Sequence, residues 1–98
     1  MKLNAIRCPR CKEIIYSRTV HDYHSCHCGA VTIDGGLEYC HCGWIESVPM
    51  PKVITIDIKT NPTTLYQDWN YMTNKLGWIK IRRNGKYLYF RSLRKFVK

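Results

Sequence analysis

Cys8-Pro9-Arg10-Cys11, Cys26-His27-Cys28-Gly29 and Cys40-His41-Cys42-Gly43 decide how this chain folds. All six cysteines lie in the first 42 residues, and the remaining 56 contain none. Two such pairs separated by a loop supply the four thiolates that one tetrahedral zinc requires. Cys8 and Cys11 have the Cys-x-x-Cys spacing, which aims two sulfurs at one point. Cys26 and Cys28 are separated by one residue rather than two, a tighter turn that still converges. The 14 residues between the pairs suit two knuckles facing each other in a ribbon. Cys8, Cys11, Cys26 and Cys28 are therefore the expected ligands of one structural zinc. Four thiolates leave no coordination position for water or substrate, so such an ion supplies folding free energy rather than chemistry.

Cys40 and Cys42 are surplus to that site, and the Gly35-Gly36 turn signal bears on them. A two-residue hairpin loop pairs Asp34 with Leu37 and places Cys42 across from Gly29. A three-residue loop with a bulge pairs Cys42 with Cys28, beside the metal. Three readings stay open. The two thiols are spare and buried, or they join His21, His24, His27 or His41 around a second zinc, or they replace Cys26 and Cys28 as ligands. The histidines otherwise read as hydrogen-bonding residues of knuckles and surface.

At 98 residues the chain makes one domain, or two very small units sharing a core. A cysteine-rich part of about 48 residues is too small for apolar burial alone to offset chain entropy. No apolar run has the length of a signal peptide or a membrane span. That predicts a cytoplasmic protein with no membrane partner, in a compartment where clustered thiols bind metal rather than form disulfides.

Two zones flank Pro49-Met50-Pro51. Residues 1–48 show no helical periodicity and read as a zinc-ribbon-like β unit, with strands expected near Glu13–Ser17, Ala30–Asp34, Leu37–Tyr39 and Trp44–Val48. Residues 49–52 are a stiff proline-containing connector. Residues 53–98 read as a basic β-α-β-β unit. Ile54, Ile56 and Ile58 alternate onto one strand face. Thr64 with Gln67 fits a capping box, and Leu65, Trp69, Met72 and Leu76 form the apolar stripe of a helix ending at Gly77. Trp78–Arg82 and Lys86–Arg91 flank Asn84-Gly85, a strong type I′ hairpin signal. The fold class is α+β, closing on an antiparallel hairpin.

The net charge of +9 is concentrated at the C-terminal end. From Gly77 onward there are eight basic residues and no acid. Lys80, Arg82, Arg83, Lys86, Arg91, Arg94 and Lys95 are placed to meet phosphates, with Tyr87 and Tyr89 interleaved for stacking. The bland counterparts are a solvated basic tail and ordinary strand aromatics. Seven scattered acids, no nucleophile in a recognisable setting and no Gly-rich phosphate loop speak against an enzyme. Asp22, between His21 and His24, is the nearest approach to a catalytic cluster and reads as a loop cap.

Cys8-Pro9-Arg10-Cys11, His21-Asp22-Tyr23, Ser25-Cys26-His27-Cys28-Gly29 and Asp34-Gly35-Gly36-Leu37-Glu38-Tyr39 together resemble a group of small zinc-ribbon-like proteins common in bacteriophage genomes. The resemblance covers about residues 6–39. It implies a phage accessory protein acting in the host cytoplasm, with metal ligands carried onto Cys8, Cys11, Cys26 and Cys28; it implies no biochemical activity. Cys40-His41-Cys42 and the whole β-α-β-β zone depart from that pattern. Nucleic acid is the expected partner. The alternative is an acidic host protein, an enzyme or anti-phage defence factor that the chain inhibits. Unpaired sheet edges also allow self-association, with no stoichiometry implied.

Overall fold

The computed structural model describes residues 1–38, 40–79 and the backbone of Leu93–Val97. Its strands are β1 (Lys2–Arg7), β2 (Ile14–Ile15), β3 (His24–Ser25), β4 (Val31–Asp34), β5 (His41–Trp44), β6 (Lys52–Ile58), β7 (Trp78–Ile79) and β8 (Leu93–Val97), with one helix, α1 (Pro62–Asn70), between β6 and β7. Two small antiparallel sheets and one short helix make a small α+β architecture. The larger sheet runs β7-β2-β1-β6-β8 and the smaller β3-β4-β5.

The larger sheet crosses the proline connector. β1 and β2 precede Pro49, and β6, β7 and β8 follow it. The β1–β6 ladder is long, running from Lys2 opposite Asp57 to Arg7 opposite Lys52. Leu3–Ile6, which the sequence presents as a lead-in to the first knuckle, is thus a central strand. Lys52 belongs to β6 rather than to the connector.

Alternation within β1 and β2 divides the molecule into two cores. Leu3, Ala5 and Ile14 face one way and pack with Tyr16, Ile56, Ile58, Leu65 of α1 and Ile79 of β7. Ile6, Cys8 and Ile15 face the other way and pack with Cys26, Ala30, Val31, Ile33 and Val48. Successive strand side chains point to opposite faces, so neighbours such as Ile14 and Ile15 enter different cores.

The helix differs from the sequence expectation at both ends. Its N-cap is Asn61, whose Oδ1 accepts the Thr64 N–H at 2.8 Å, and Pro62 follows where a missing N–H costs nothing. Thr64 is thus a capped residue and not the cap. The helix stops at Asn70, and Met72 lies exposed with φ +54°. Leu65 is the apolar anchor of the stripe, and the other buried helical residue is Asp68. That carboxylate accepts the Lys75 and Leu76 N–H groups at 3.0 Å each, turning the chain back before a longer stripe can form.

The β4–β5 register matches neither hairpin considered above. Asp34 pairs with His41 and Ile33 with Cys42, leaving residues 35–40 as the loop. Gly36, at φ +62°, donates its N–H to Ser17 Oγ, and a Cβ there would collide with the backbone of Thr19 and Val20. The two glycines therefore serve close packing against the 17–20 turn rather than a two-residue hairpin. The expected strands at Leu37–Tyr39 and Trp44–Val48 reduce, among the described residues, to β5. The Asn84-Gly85 hairpin lies outside the described residues, while β8 pairs with β6 through a register shift between Asp57 and Ile58.

Candidate metal centre

β1 ends at Arg7, and the chain turns at once through the first knuckle. Cys8 N–H donates to the Glu13 carbonyl and Lys12 N–H to the Cys8 carbonyl, closing the turn. The N–H groups of Arg10 and Cys11 both point at Cys8 Sγ, at 3.4 Å. The second knuckle precedes β4. Cys26 N–H donates to the Val31 carbonyl and Gly29 N–H to the Cys26 carbonyl.

The two turns bring four sulfurs together. One sulfur from each of Cys8, Cys11, Cys26 and Cys28 lies within 4.8 Å of every other. Cys28 Sγ is 3.5 Å from Cys8 Sγ and 3.4 Å from Cys26 Sγ. Zinc–sulfur bonds of about 2.3 Å imply a tetrahedron edge of about 3.8 Å, so the cluster has the size to hold such an ion. Among the described residues it is the one group of three or more His, Cys, Asp or Glu side chains that converge in this way.

The surroundings tune the thiols unequally. Burial pushes Cys11 and Cys26 up. Burial acts on Cys28 in the same sense, but the Ala30 N–H, Cys26, Arg10 and Cys11 outweigh it and bring that thiol down to about 6. Cys28 is thus the sulfur most ready to bind as thiolate near neutral pH. Arg10 reaches across from the first knuckle and donates from Nη2 to the Cys28 carbonyl at 2.8 Å, which puts a fixed cation beside the thiolates. Glu13, buried beneath the knuckles, accepts from the His27 backbone N–H at 2.8 Å and meets its Nδ1 at 2.9 Å. The imidazole between Cys26 and Cys28 is thereby held on a carboxylate.

The third pair stands apart. Cys42 lies in β5 opposite Ile33, and both Cys40 and Cys42 pack half-buried against the apolar core that holds the cluster. Burial pushes the Cys40 thiol up, and Cys42 adds to the effect. Cys26 and Cys28 keep their places with Cys8 and Cys11. His24 is occupied elsewhere. Its Nδ1 meets Asp22 Oδ1 at 2.9 Å and its Nε2 the Gly77 carbonyl at 3.2 Å. Both ring nitrogens are thus engaged within the Asp22 and Gly77 contacts.

Beside the metal core lies a buried ionic network with no local sequence signal. Arg18, only 4% exposed, donates from Nε to Asp22 Oδ2 at 2.7 Å, and from Nη1 to Asp68 Oδ2 at 2.8 Å and to Asn74 Oδ1 at 2.9 Å. Asp22 Oδ2 also accepts the Arg18 backbone N–H, so the expected loop cap is present but belongs to a larger assembly. Burial alone would raise the Asp22 carboxyl. His24 and Arg18 overcome it and hold the group well below the ordinary carboxylate range. The guanidinium also lies 5.0 Å from the centre of the Trp78 ring, whose Nε1 donates to the Ser25 carbonyl. Arg18 and Asp68 are fifty residues apart, which is why the pattern of the chain does not announce them.

Of the residues expected to meet phosphates, Lys80, Arg82, Arg83, Lys86, Tyr87, Tyr89 and Arg91 lie outside the described residues. Arg94 and Lys95 fall in β8, whose backbone pairs with β6; their side chains are outside the described set. Among the described residues no helix is long and apolar enough to cross a membrane. No curated protein and no solved structure matches the chain. Residues 1–45, which carry all six cysteines, match the family model described as Domain of unknown function (DUF7695).

Proposed function

We propose that this chain is a small non-enzymatic accessory protein of bacteriophage type. In this reading Cys8, Cys11, Cys26 and Cys28 hold one structural zinc, and a basic surface binds nucleic acid. The observation that carries it is where the acids go. Of the seven, Glu13, Asp22 and Asp68 are buried on internal partners, and Asp57 accepts from the Met1 amino group at 3.1 Å. Asp34, Glu38 and Glu46 are what remains. Of the sixteen Lys and Arg side chains, Arg18 is the one buried among the described residues. Among the described residues the charged side chains left at the surface are therefore mostly basic, and a surface of that sign draws polyanions.

Zinc, bound to four thiolates, would brace the knuckles; its chemistry in a closed site is structural. Nucleic-acid contacts through Lys80, Arg82, Arg83, Lys86, Arg91, Arg94 and Lys95, with Tyr87 and Tyr89 stacking, remain part of the proposal. Fluorescence anisotropy of a labelled oligonucleotide across a salt series tests it. Affinity should fall linearly in log–log form as counterions are released, by about 0.7 per phosphate contact for a single strand. A flat salt response would rule the reading out.

A second reading has its own support. β5 is an edge strand carrying exposed Trp44, with exposed Ile45 next to it. A sheet edge, among the described residues, with exposed apolar side chains suits a protein partner, such as a host enzyme or defence factor that the chain would inhibit. Recovery of one partner from bacterial lysate, unaffected by nuclease, would favour this second reading.

A further inference from the structure

The sheet face that carries Leu3, Ala5, Ile54 and Ile56 changes character at one end. The next cross-strand pair on that face is Arg7 opposite Lys52, and both are exposed. Two cations thus stand side by side at this end of the ladder. They open onto a groove of about 380 Å³ between the first knuckle and the proline connector. Pro9, Pro49, Met50, Pro51 and Ile54 also line it, and Met50 is 66% exposed.

Lys12 is the third cation on the rim. Its backbone has φ +66°, a conformation that glycine adopts most easily and that a lysine holds only at a cost. Its Nζ donates to the carbonyl of Pro9, another residue of the lining, at 2.8 Å. None of the described residues lining the groove is acidic. These cations are not the ones that answer the thiolates, since Arg10 does that from outside the groove.

We propose that this groove seats one unpaired nucleotide of a single-stranded nucleic acid, with Arg7, Lys12 and Lys52 holding its flanking phosphates and Met50 and Pro51 covering the sugar. The inference rests on the nucleic-acid reading above and deepens it. A concavity of this volume is at the small end of ligand pockets, with room for a nucleotide and not for a duplex. The lining has no aromatic ring, so contacts to the backbone lead and base identity matters little.

The test uses the metal-loaded full chain and oligothymidylate. Arg7→Gln/Lys12→Gln/Lys52→Gln is compared with a charge-matched control, Lys2→Gln/Lys59→Gln/Lys75→Gln, which removes exposed cations away from the groove. The groove variant should lower the log–log salt slope by about 2, and the control should leave it unchanged. Methyl-labelled methionine on the native chain gives a reading that needs no variant. Oligothymidylate should shift the Met50 methyl and leave that of Met72, exposed elsewhere, in place.

Equal slopes in the two variants, or an unmoved Met50 methyl, would overturn the nucleotide seat while leaving nucleic-acid binding intact. No binding of oligothymidylate by the native chain would overturn both. If the groove variant lost affinity for polyglutamate but kept it for oligothymidylate, the groove would belong to an acidic polypeptide and the proposal would fail.

Discussion

The two faces of the five-stranded sheet solve the same problem by different means. On one face Leu3, Ala5, Ile14, Ile56 and Ile58 pack under Leu65 of the helix, and a buried Arg18–Asp22–Asp68 network ties the helix end to the 17–22 turn. On the other, Ile6, Ile15, Val31 and Ile33 pack against knuckles that four cysteines draw to one point. The first face is closed by apolar area and paired charge. The second has less chain with which to close itself, and its four converging sulfurs have the size to hold a metal ion. Because β1 and β2 give alternate side chains to both faces, neither is independent of the other.

That dependence sets the largest expected effect. Structural zinc in small domains contributes about 10 kcal/mol or more of folding free energy. A strong chelator should therefore abolish amide hydrogen-exchange protection at Ile33 on the metal side and also at Ile56 under the helix. Protection that survived at Ile56 would show that the faces unfold separately.

Next is the ionic network. Arg18→Met strands two buried carboxylates and should cost about 3–5 kcal/mol in urea unfolding, as removal of one partner from a buried ion pair does. A loss under 1 kcal/mol would mean that water reaches Asp22 and Asp68.

Acid probes the same face more gently. The folded-state pKa of Asp22 is lowered, so its stabilising contribution is present above the ordinary aspartate value and is lost as pH falls from there through the depressed folded-state value. The stability difference between the native chain and Asp22→Asn should be constant above about pH 5 and narrow below about pH 4. A difference that widened on acidification would contradict the assignment.

The smallest effect isolates the two faces within one dipeptide. Ile14→Val and Ile15→Val each remove one methylene from opposite cores and should each cost about 1 kcal/mol. Because metal binding is linked to the folding of both faces, zinc competition should register both changes, although only Ile15 packs in the core that holds the cysteines. A loss of affinity for the Ile15 change alone would show that the faces fold separately.

Much of the metal centre was readable from spacing. Cys8 and Cys11, and Cys26 and Cys28, converge because short turns leave their sulfurs few other directions, and that is a local matter. Cys40 and Cys42 were not readable. Their position hung on a hairpin register, and the Gly35-Gly36 signal pointed to a tight loop where the chain instead packs Gly36 against Thr19 and Val20. The helix was expected in the right stretch, but Thr64 was read as the cap in place of Asn61 and the stripe ran too far. Spacing alone cannot show that Asp68 is buried and captures the Lys75 and Leu76 N–H groups.

The sequence by local chemistry determined the four-sulfur set, the alternation of β6, the presence of the helix and the crowding of positive charge toward the C-terminal end. Those depend on neighbours within a few residues. The pairing of β1 with β6 across the proline connector, the division of β1 and β2 between two cores, the β4–β5 register and the meeting of Arg18 with Asp68 were decided only in three dimensions. Each joins segments far apart in the chain, and each is selected because buried apolar faces need covers and buried charges need partners.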